Sequence, residues 1–569
     1  MIGFCDVKGV LARRAILGLY SLLTLYYLAT VLGIPASVTT NRVVRFVALN
    51  AFLLHEPVYD ILLLIALTVG AYVLGLPRAC ALSLIPVALV PLIQVAGLPS
   101  RYQYLPLLAS SLIPIAVSVR RWLRDIVIGF SLIVIPVEVV TASLHAYSMV
   151  SGRELPHAAL MFVLRERALW ALTEWVAISL IAITSVLSLI LVINKGFRKH
   201  IEPVGKAINT AVSGRHLHVK PSLGLAAGLA IAVLLVVLPH LPTFNPMSRP
   251  VSVDTYYYTK FLNLASREGV AKALREFHLF RPTYLAIVYL AYRASGLTPY
   301  MLMDVVHPLV AFIAIVAATW YVSGKVLGRE ASGIVAILTP LSYTLITFVS
   351  GGFHSNTVAL PLAILTISLT PSLRGYVALY VLSTLTALIH PWTFIMYSTA
   401  YVIYRWRVRG DPPKVLAITA VLLVTALASS EAVSNAITPA SGPLGAMGKA
   451  MSTGVSVAFP KNIVDGIELW DWGTLSNPQY LLAASIPTQV TTPFLALLAV
   501  AIPVFKDFMV HRVILNLPLY LGAAVVLRRV DRVVALALMV GMLARVLGQL
   551  SGLTPLEGPI WSEILMITR

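Results

Sequence analysis

The chain has 569 residues, 59% of them hydrophobic and only 11% charged, with a mean hydropathy of +0.88. A soluble fold of this length cannot hide so much apolar surface, so soluble classes are excluded and a polytopic membrane protein is expected. The net charge of +19 is dispersed between apolar segments, which suits cytoplasmic loops and argues against nucleic acid as a partner.

Lys8, Arg13 and Arg14 precede the first apolar run, and no small-residue cleavage site follows. A retained first helix is therefore expected rather than a signal peptide. Cys5 lies near the N-terminus and Cys80 in an apolar segment, a placement that disfavours a structural disulfide. Apolar length predicts spans at 15–33, 57–76, 79–97, 104–119, 126–144 and 171–194. With Arg13 and Arg14 inside, six crossings bring the basic stretch Lys195–Lys220 inside as the strongest cytoplasmic signal. That stretch marks a boundary. Residues 1–215 form an N-terminal transmembrane bundle of unknown role, and residues 216–569 a second bundle with outer loops at 240–302 and 429–489.

Span 222–239 then runs outward and leaves Asp254 on the outer face. The run Tyr284–Gly296 is shorter than the roughly 20 residues a span needs. Read as a segment that dips in and returns, it keeps Lys325 and Arg329 inside. Spans 303–325, 331–350, 357–371, 375–389, 392–404 and 414–428 follow, with Arg374, Arg405, Arg407, Arg409 and Lys414 inside. Spans 490–505, 514–527 and 533–551 close the chain and place Arg528, Arg529 and Arg532 outside, against the positive-inside rule.

Chemistry-bearing residues gather on the outer face. A carboxylate just past a membrane helix is expected to face water or to react. Asp254 is a general base for an acceptor hydroxyl, a carboxylate that orients acceptor or metal, or the N-cap of the helix that follows. Tyr256, Tyr257 and Tyr258 are interface anchors or a sugar-stacking surface. From Phe261 to Phe280 an amphipathic run puts Leu264, Val270, Leu274 and Phe277 on one stripe, with Arg267, Lys272 and Arg275 off it, as in a helix lying in the membrane interface. Arg281 offers a permanently charged fork that fits phosphate. His354 and Asn356 lie in a glycine-led turn, either as a phosphate or proton-sharing pair or as a solvated turn. His390 precedes Pro391, either to neutralise a phosphate or simply at a proline helix break.

In order, Asp254, Arg281-Pro282-Thr283-Tyr284, Gly296, Gly324-Lys325-Val326-Leu327-Gly328-Arg329 and Leu338-Thr339-Pro340-Leu341 resemble the core of the GT-C membrane glycosyltransferases. Aminoarabinose transferases of lipid A and protein O-mannosyltransferases are examples. The likeness covers residues 222–404 and rests on layout. It implies an all-α, polytopic transmembrane helix bundle with a GT-C-like core, which the extra N-terminal bundle, outside the likeness, precedes. It also implies transfer of a sugar from a polyprenyl-phosphate donor, held in membrane lipid, to a glycan, lipid or protein acceptor. The active site would lie on the extracytoplasmic face of the cell membrane, with Asp254 as base and Arg281 and His390 on the carrier phosphate. Relatives often carry a second acidic residue where this chain has His354 and Asn356, so a divalent metal is left open. Glu468-Leu469-Trp470-Asp471-Trp472-Gly473 resembles the Trp-Trp-Asp-Tyr-Gly signature of oligosaccharyltransferases at Trp470, Asp471 and Gly473. A loop lid over the acceptor is the broader reading of that segment.

Two other classes stay open. Glu138, Glu174, Asp304, His307 and Arg545 fall inside predicted spans, which favours a transporter or flippase for a lipid-linked or anionic substrate. A non-enzymatic membrane assembly protein would need no essential residue on the outer face.

Overall fold

A computed structural model describes chiefly residues 217–242, 250–277, 281–438, 491–504 and 513–528, with shorter stretches within 16–27, 64–71, 83–90, 104–117, 184–194 and 532–546. Every regular element among them is helical. Three helices are long and apolar enough to cross a membrane, Pro221–His240, Met301–Val326 and Pro413–Ile437. Val310, Val421 and Val424 on two of these are 61%, 64% and 68% exposed, as expected of side chains that face lipid rather than a protein core.

The elements are α1 (Tyr104–Val117), α2 (Pro221–Val237), α3 (Thr255–Glu268), α4 (Val270–Glu276), α5 (Pro282–Ser295), α6 (His307–Val326), α7 (Arg329–Leu338), α8 (Tyr343–Gly351), α9 (His354–Thr366), α10 (Leu373–Ile389), α11 (Pro391–Ile403), α12 (Pro413–Ile437), α13 (Thr491–Val504) and α14 (Leu519–Leu527). Proline opens α2, α5, α11 and α12, where its missing N–H leaves no intrahelical bond unmade. Ser372 caps α10 by accepting from the Gly375 N–H at 3.2 Å. The expected span 331–350 is broken into α7 and α8 around Pro340, and a π-helical turn, Met301–Val306, leads into α6. The expected amphipathic run is likewise two helices. Gly269, at φ +89°, separates α3 from α4, while Leu264, Val270, Leu274 and Phe277 still pack on one apolar cluster with Phe261 and Leu262.

Hydrogen bonds fix the direction of each helix. Trp320 donates to the Pro221 carbonyl at 3.2 Å, and His240 meets Asp304 at 2.8 Å, so α2 and α6 are antiparallel. Arg281 bonds Ser355, and Asp304 bonds Val251 and Ser252. The stretch between Arg281 and Asp304 therefore begins and finishes at the same end of the bundle. This agrees with a segment that returns rather than crosses, and it puts Lys325 and Arg329 at the end opposite Asp254. One expectation is corrected. Arg528 pairs with Glu330 at 2.5 Å, beside Arg329, so it lies at the Lys325–Arg329 end and not with Asp254. The span count toward the C-terminus was out of phase.

The tightest packing is between α2 and α7. A Cβ on Gly224 would collide with the Gly333 backbone, and one on Gly228 with the Ala336 carbonyl. Two glycines four residues apart bring two backbones together without side-chain spacers. Nearer the N-terminus, hydroxyls join the segments. Tyr20 meets Thr68 at 2.7 Å, Thr68 meets Ser83 at 2.9 Å and Thr24 donates to Ser111 at 2.8 Å. Tyr20, Leu64 and Leu107 belong to the same hydrophobic cluster as Leu235 and Phe312. Lys195, the linker up to residue 216, Glu138, Glu174 and Arg545 lie outside the described residues.

Gly228→Val is expected to destabilise the protein by about 1–3 kcal/mol through overpacking against α7, measured by thermal unfolding in detergent. Leu223→Ala, at a position 63% exposed, should leave the transition almost unmoved.

Candidate functional site

Asp254 sits at the N-cap position of α3, but its side chain makes no capping hydrogen bond. The turn before it is held from two sides. On one side is the α8–α9 turn. The Gly351 carbonyl accepts the Asp254 N–H at 3.4 Å. Gly352, at φ +86°, lies so close that a Cβ there would collide with Ser252 Oγ and Asp254 Cβ. Only glycine adopts that φ without strain and leaves room for the carboxylate-bearing residue. On the other side is Asp304, 2% exposed. Its Oδ2 accepts Val251 N–H at 2.8 Å and faces His240 Nε2 at 2.8 Å. Its Oδ1 accepts Ser252 N–H at 3.2 Å and the Thr255 hydroxyl at 2.5 Å. The Tyr300 phenol lies nearby, pushed up to about 12 by burial and then by the Asp304 charge.

A group of rings backs this turn. His354 stands edge-to-face against Tyr258 at 5.1 Å and against His307 at 4.9 Å. Tyr258 meets Tyr284 at 5.7 Å, and the Tyr284 hydroxyl is 2.9 Å from His307 Nε2. His354 is 1% exposed, so it is a packed ring and not a solvated turn residue. Its Nε2 lies 3.5 Å from both Ser252 Oγ and Thr255 Oγ1. Arg281 donates to Ser355 Oγ, and both hydrogen-bond the Tyr258 hydroxyl. Burial pushes the Tyr258 phenol up to about 12, Arg281 draws it back, and the Asp254 carboxylate adds to the rise. Arg281 and His354, from separate stretches, thus contact one tyrosine, and the charge of Asp254 acts on it. The hydroxyls of Thr259 and Thr283 and the Nδ1 atoms of His307 and His354 are buried here without a hydrogen-bond partner. Such atoms are uncommon in native interiors and concentrate where a water or polar ligand is accommodated.

Asn356 and His390 belong to a second, adjoining cluster. Thr393 Oγ1 lies 2.7 Å from His390 Nδ1, 2.5 Å from Asn356 Oδ1 and 2.9 Å from Asn516 Oδ1. One hydroxyl has one proton to give, so at least one asparagine presents its NH₂ group to Thr393. His390 Nδ1 also accepts the Thr393 N–H at 3.2 Å, capping α11 behind Pro391. Its local role is therefore that of a buried helix cap at a proline break. Tyr256 is 48% exposed and packs edge-to-face on Tyr257 at 5.8 Å, beside Asp254 in sequence but outside the ring cluster. Trp470 and Asp471 lie outside the described residues.

Sequence reasoning passed over Tyr284, Ser355, Thr393 and Asn516. Asn516 carried a usable signal, as a lone amide between apolar residues in Ile514-Leu515-Asn516-Leu517. Among the described residues no group of three or more His, Cys, Asp or Glu side chains is placed to hold a metal. No family model, curated protein or solved structure matches this chain, so function is argued from the site.

Gly352→Ala is expected to cost about 2–4 kcal/mol, from strain at positive φ together with the collision against Asp254. Gly410→Ala, also at positive φ but with open space around it, should cost about 1 kcal/mol. Thermal unfolding of the two variants side by side measures the difference.

Proposed function

We propose that this protein is a polytopic membrane glycosyltransferase of the GT-C type. It transfers a sugar from a polyprenyl-phosphate-linked donor to an acceptor at the extracytoplasmic face of the cell membrane. The observation that carries this reading is that Asp254, through its N–H to Gly351, and Arg281, through Ser355, are both held against the turn ahead of α9 at one end of an apolar helical bundle, with both charges acting on Tyr258. A carboxylate and a guanidinium in one site are the two charges such a transfer needs.

In this mechanism Asp254 takes the proton of the acceptor hydroxyl as its oxygen attacks the anomeric carbon. The bond from that carbon to the carrier phosphate breaks, and the phosphate leaves with the electron pair and the negative charge. Arg281 receives that charge with a bidentate fork, an interaction that strengthens as the charge develops. A phosphate needs little acid help to leave, so one carboxylate suffices. The apolar stripe of α3 and α4 lies beside the site and suits the entry of a polyprenyl chain.

A transporter or flippase for a lipid-linked or anionic substrate is the second reading. The observation favouring it was the set of ionisable residues within spans. Asp304 no longer supports it, because the carboxylate is occupied by protein donors.

The test is donor consumption by purified protein against a panel of radiolabelled polyprenyl-phosphate and polyprenyl-diphosphate sugars. One donor should be consumed, with Asp254→Asn about 10²–10⁴-fold slower. No turnover of any donor with glycan, lipid or peptide acceptors, or an unimpaired Asp254→Asn, sinks the proposal.

A further inference from the structure

Asp304 is the best-satisfied buried charge at this end of the bundle, and the mechanism above does not use it. Its two oxygens face donors only: two backbone N–H groups, the hydroxyls of Thr255 and Tyr300, and one imidazole. That is the surrounding of an ionised carboxylate, since a protonated acid would turn an O–H toward other donors. The histidine is informative too. His240 Nδ1 lies 2.7 Å from the Val236 carbonyl, and Nε2 lies 2.8 Å from Asp304. Both neighbours are acceptors, so making both bonds requires a proton on each nitrogen, and His240 is then an imidazolium. Asp304 is thereby paired with a cation in the turn that closes α2 as well as bonded to the Val251–Thr255 turn.

Three of its five donors, Val251, Ser252 and Thr255, flank Asp254 within five residues. Asp304 itself stands in the π-helical turn that leads into the longest span. The turn carrying Asp254 is therefore tied to α2 and α6 through a single carboxylate, while Gly352 closes it from the other side.

We propose that Asp304 is a positioning residue that fixes the Asp254 carboxylate by clamping the Val251–Thr255 turn to the membrane helices. This rests on the reading of Asp254 as the reacting carboxylate, but the clamp can be tested without it. A carried proton or ion would need a free position on the carboxylate oxygens, whereas a clamp needs those positions filled. Asp304→Asn would present an NH₂ group to donors, so at least one of the flanking bonds is lost.

The experiment uses the full chain in lipid nanodiscs, with Cys5 and Cys80 replaced by serine and a nitroxide at Tyr257→Cys, an exposed position on α3. The clamp predicts that Asp304→Asn moves the label from a slow to a fast spectral component. Donor turnover should fall about 100-fold with an unchanged donor KM, as for a misplaced catalytic group. Thr255→Val, which removes one donor and leaves the charge in place, should do the same in a smaller measure, with turnover down about tenfold. Asp254→Asn should slow turnover about 10²–10⁴-fold and leave the label slow. An unchanged label in Asp304→Asn overturns the proposal. If that variant fails to fold, a slow label with full turnover in Thr255→Val overturns it instead. If wild-type protein consumes no donor, the assignment of Asp254 fails, and the spectra still decide the clamp.

Discussion

A carboxylate taken out of water has to be surrounded by donors, because an unpaired buried charge costs several kcal/mol. Asp304 meets that demand with groups drawn from the turn that closes α2, from the turn ahead of α3 and from the first residue of α3. The same set of bonds that makes its burial tolerable also decides where the Val251–Thr255 turn sits. Gly352 adds a steric limit from the other side, so the position of Asp254 is fixed between an electrostatic tie and a backbone contact. The rest of the site is arranged relative to this turn: Tyr258 one helical turn on, His354 beneath it, and Arg281 against Tyr258 and Ser355.

The two polar clusters at this end of the bundle differ in character. The Thr393 cluster links α9, α11 and the segment before α14 through one hydroxyl, with each of its neighbours engaged. Satisfied networks of this kind rigidify a core. The cluster around Tyr258 holds two charges and several buried polar atoms without partners. That is the pattern of a place kept ready for a polar ligand, at a cost that the surrounding packing offsets. The first helical turn of α9 contributes to both, through His354 and Ser355 on one side and Asn356 on the other. The two clusters are thus coupled over three consecutive residues.

Much of the core was legible from apolar length. The span read at 303–325 is Met301–Val326, a helix long enough to cross a membrane, whereas 375–389 and 392–404 match the shorter helices α10 and α11 within two residues. Length is a sound guide there because a membrane helix must satisfy its own backbone over the full apolar thickness. Breaks were less visible. A continuous apolar run over 331–350 hides the interruption at Pro340, and an amphipathic stripe that survives across Gly269 hides the positive φ there. The error at Arg528 came from counting spans, and only the contact with Glu330 corrects it. For the site, Asp254 and Arg281 were identifiable as charges beside membrane helices. Their common partner Tyr258 was not, because a tyrosine at a membrane boundary is more often an anchor. Asp304 was identifiable as an intramembrane charge, but its partners sit some fifty residues upstream in a turn of small residues, a relation that local pattern does not carry.

The most direct test of the account is a structure of the protein in nanodiscs with a non-hydrolysable phosphonate analogue of its polyprenyl-phosphate sugar. The account predicts the phosphonate oxygens within hydrogen-bond reach of the Arg281 guanidinium, with the anomeric carbon facing Asp254 and the polyprenyl chain along the apolar stripe of α3 and α4. A headgroup bound at the opposite end, among Arg405, Arg407 and Lys414, would contradict it.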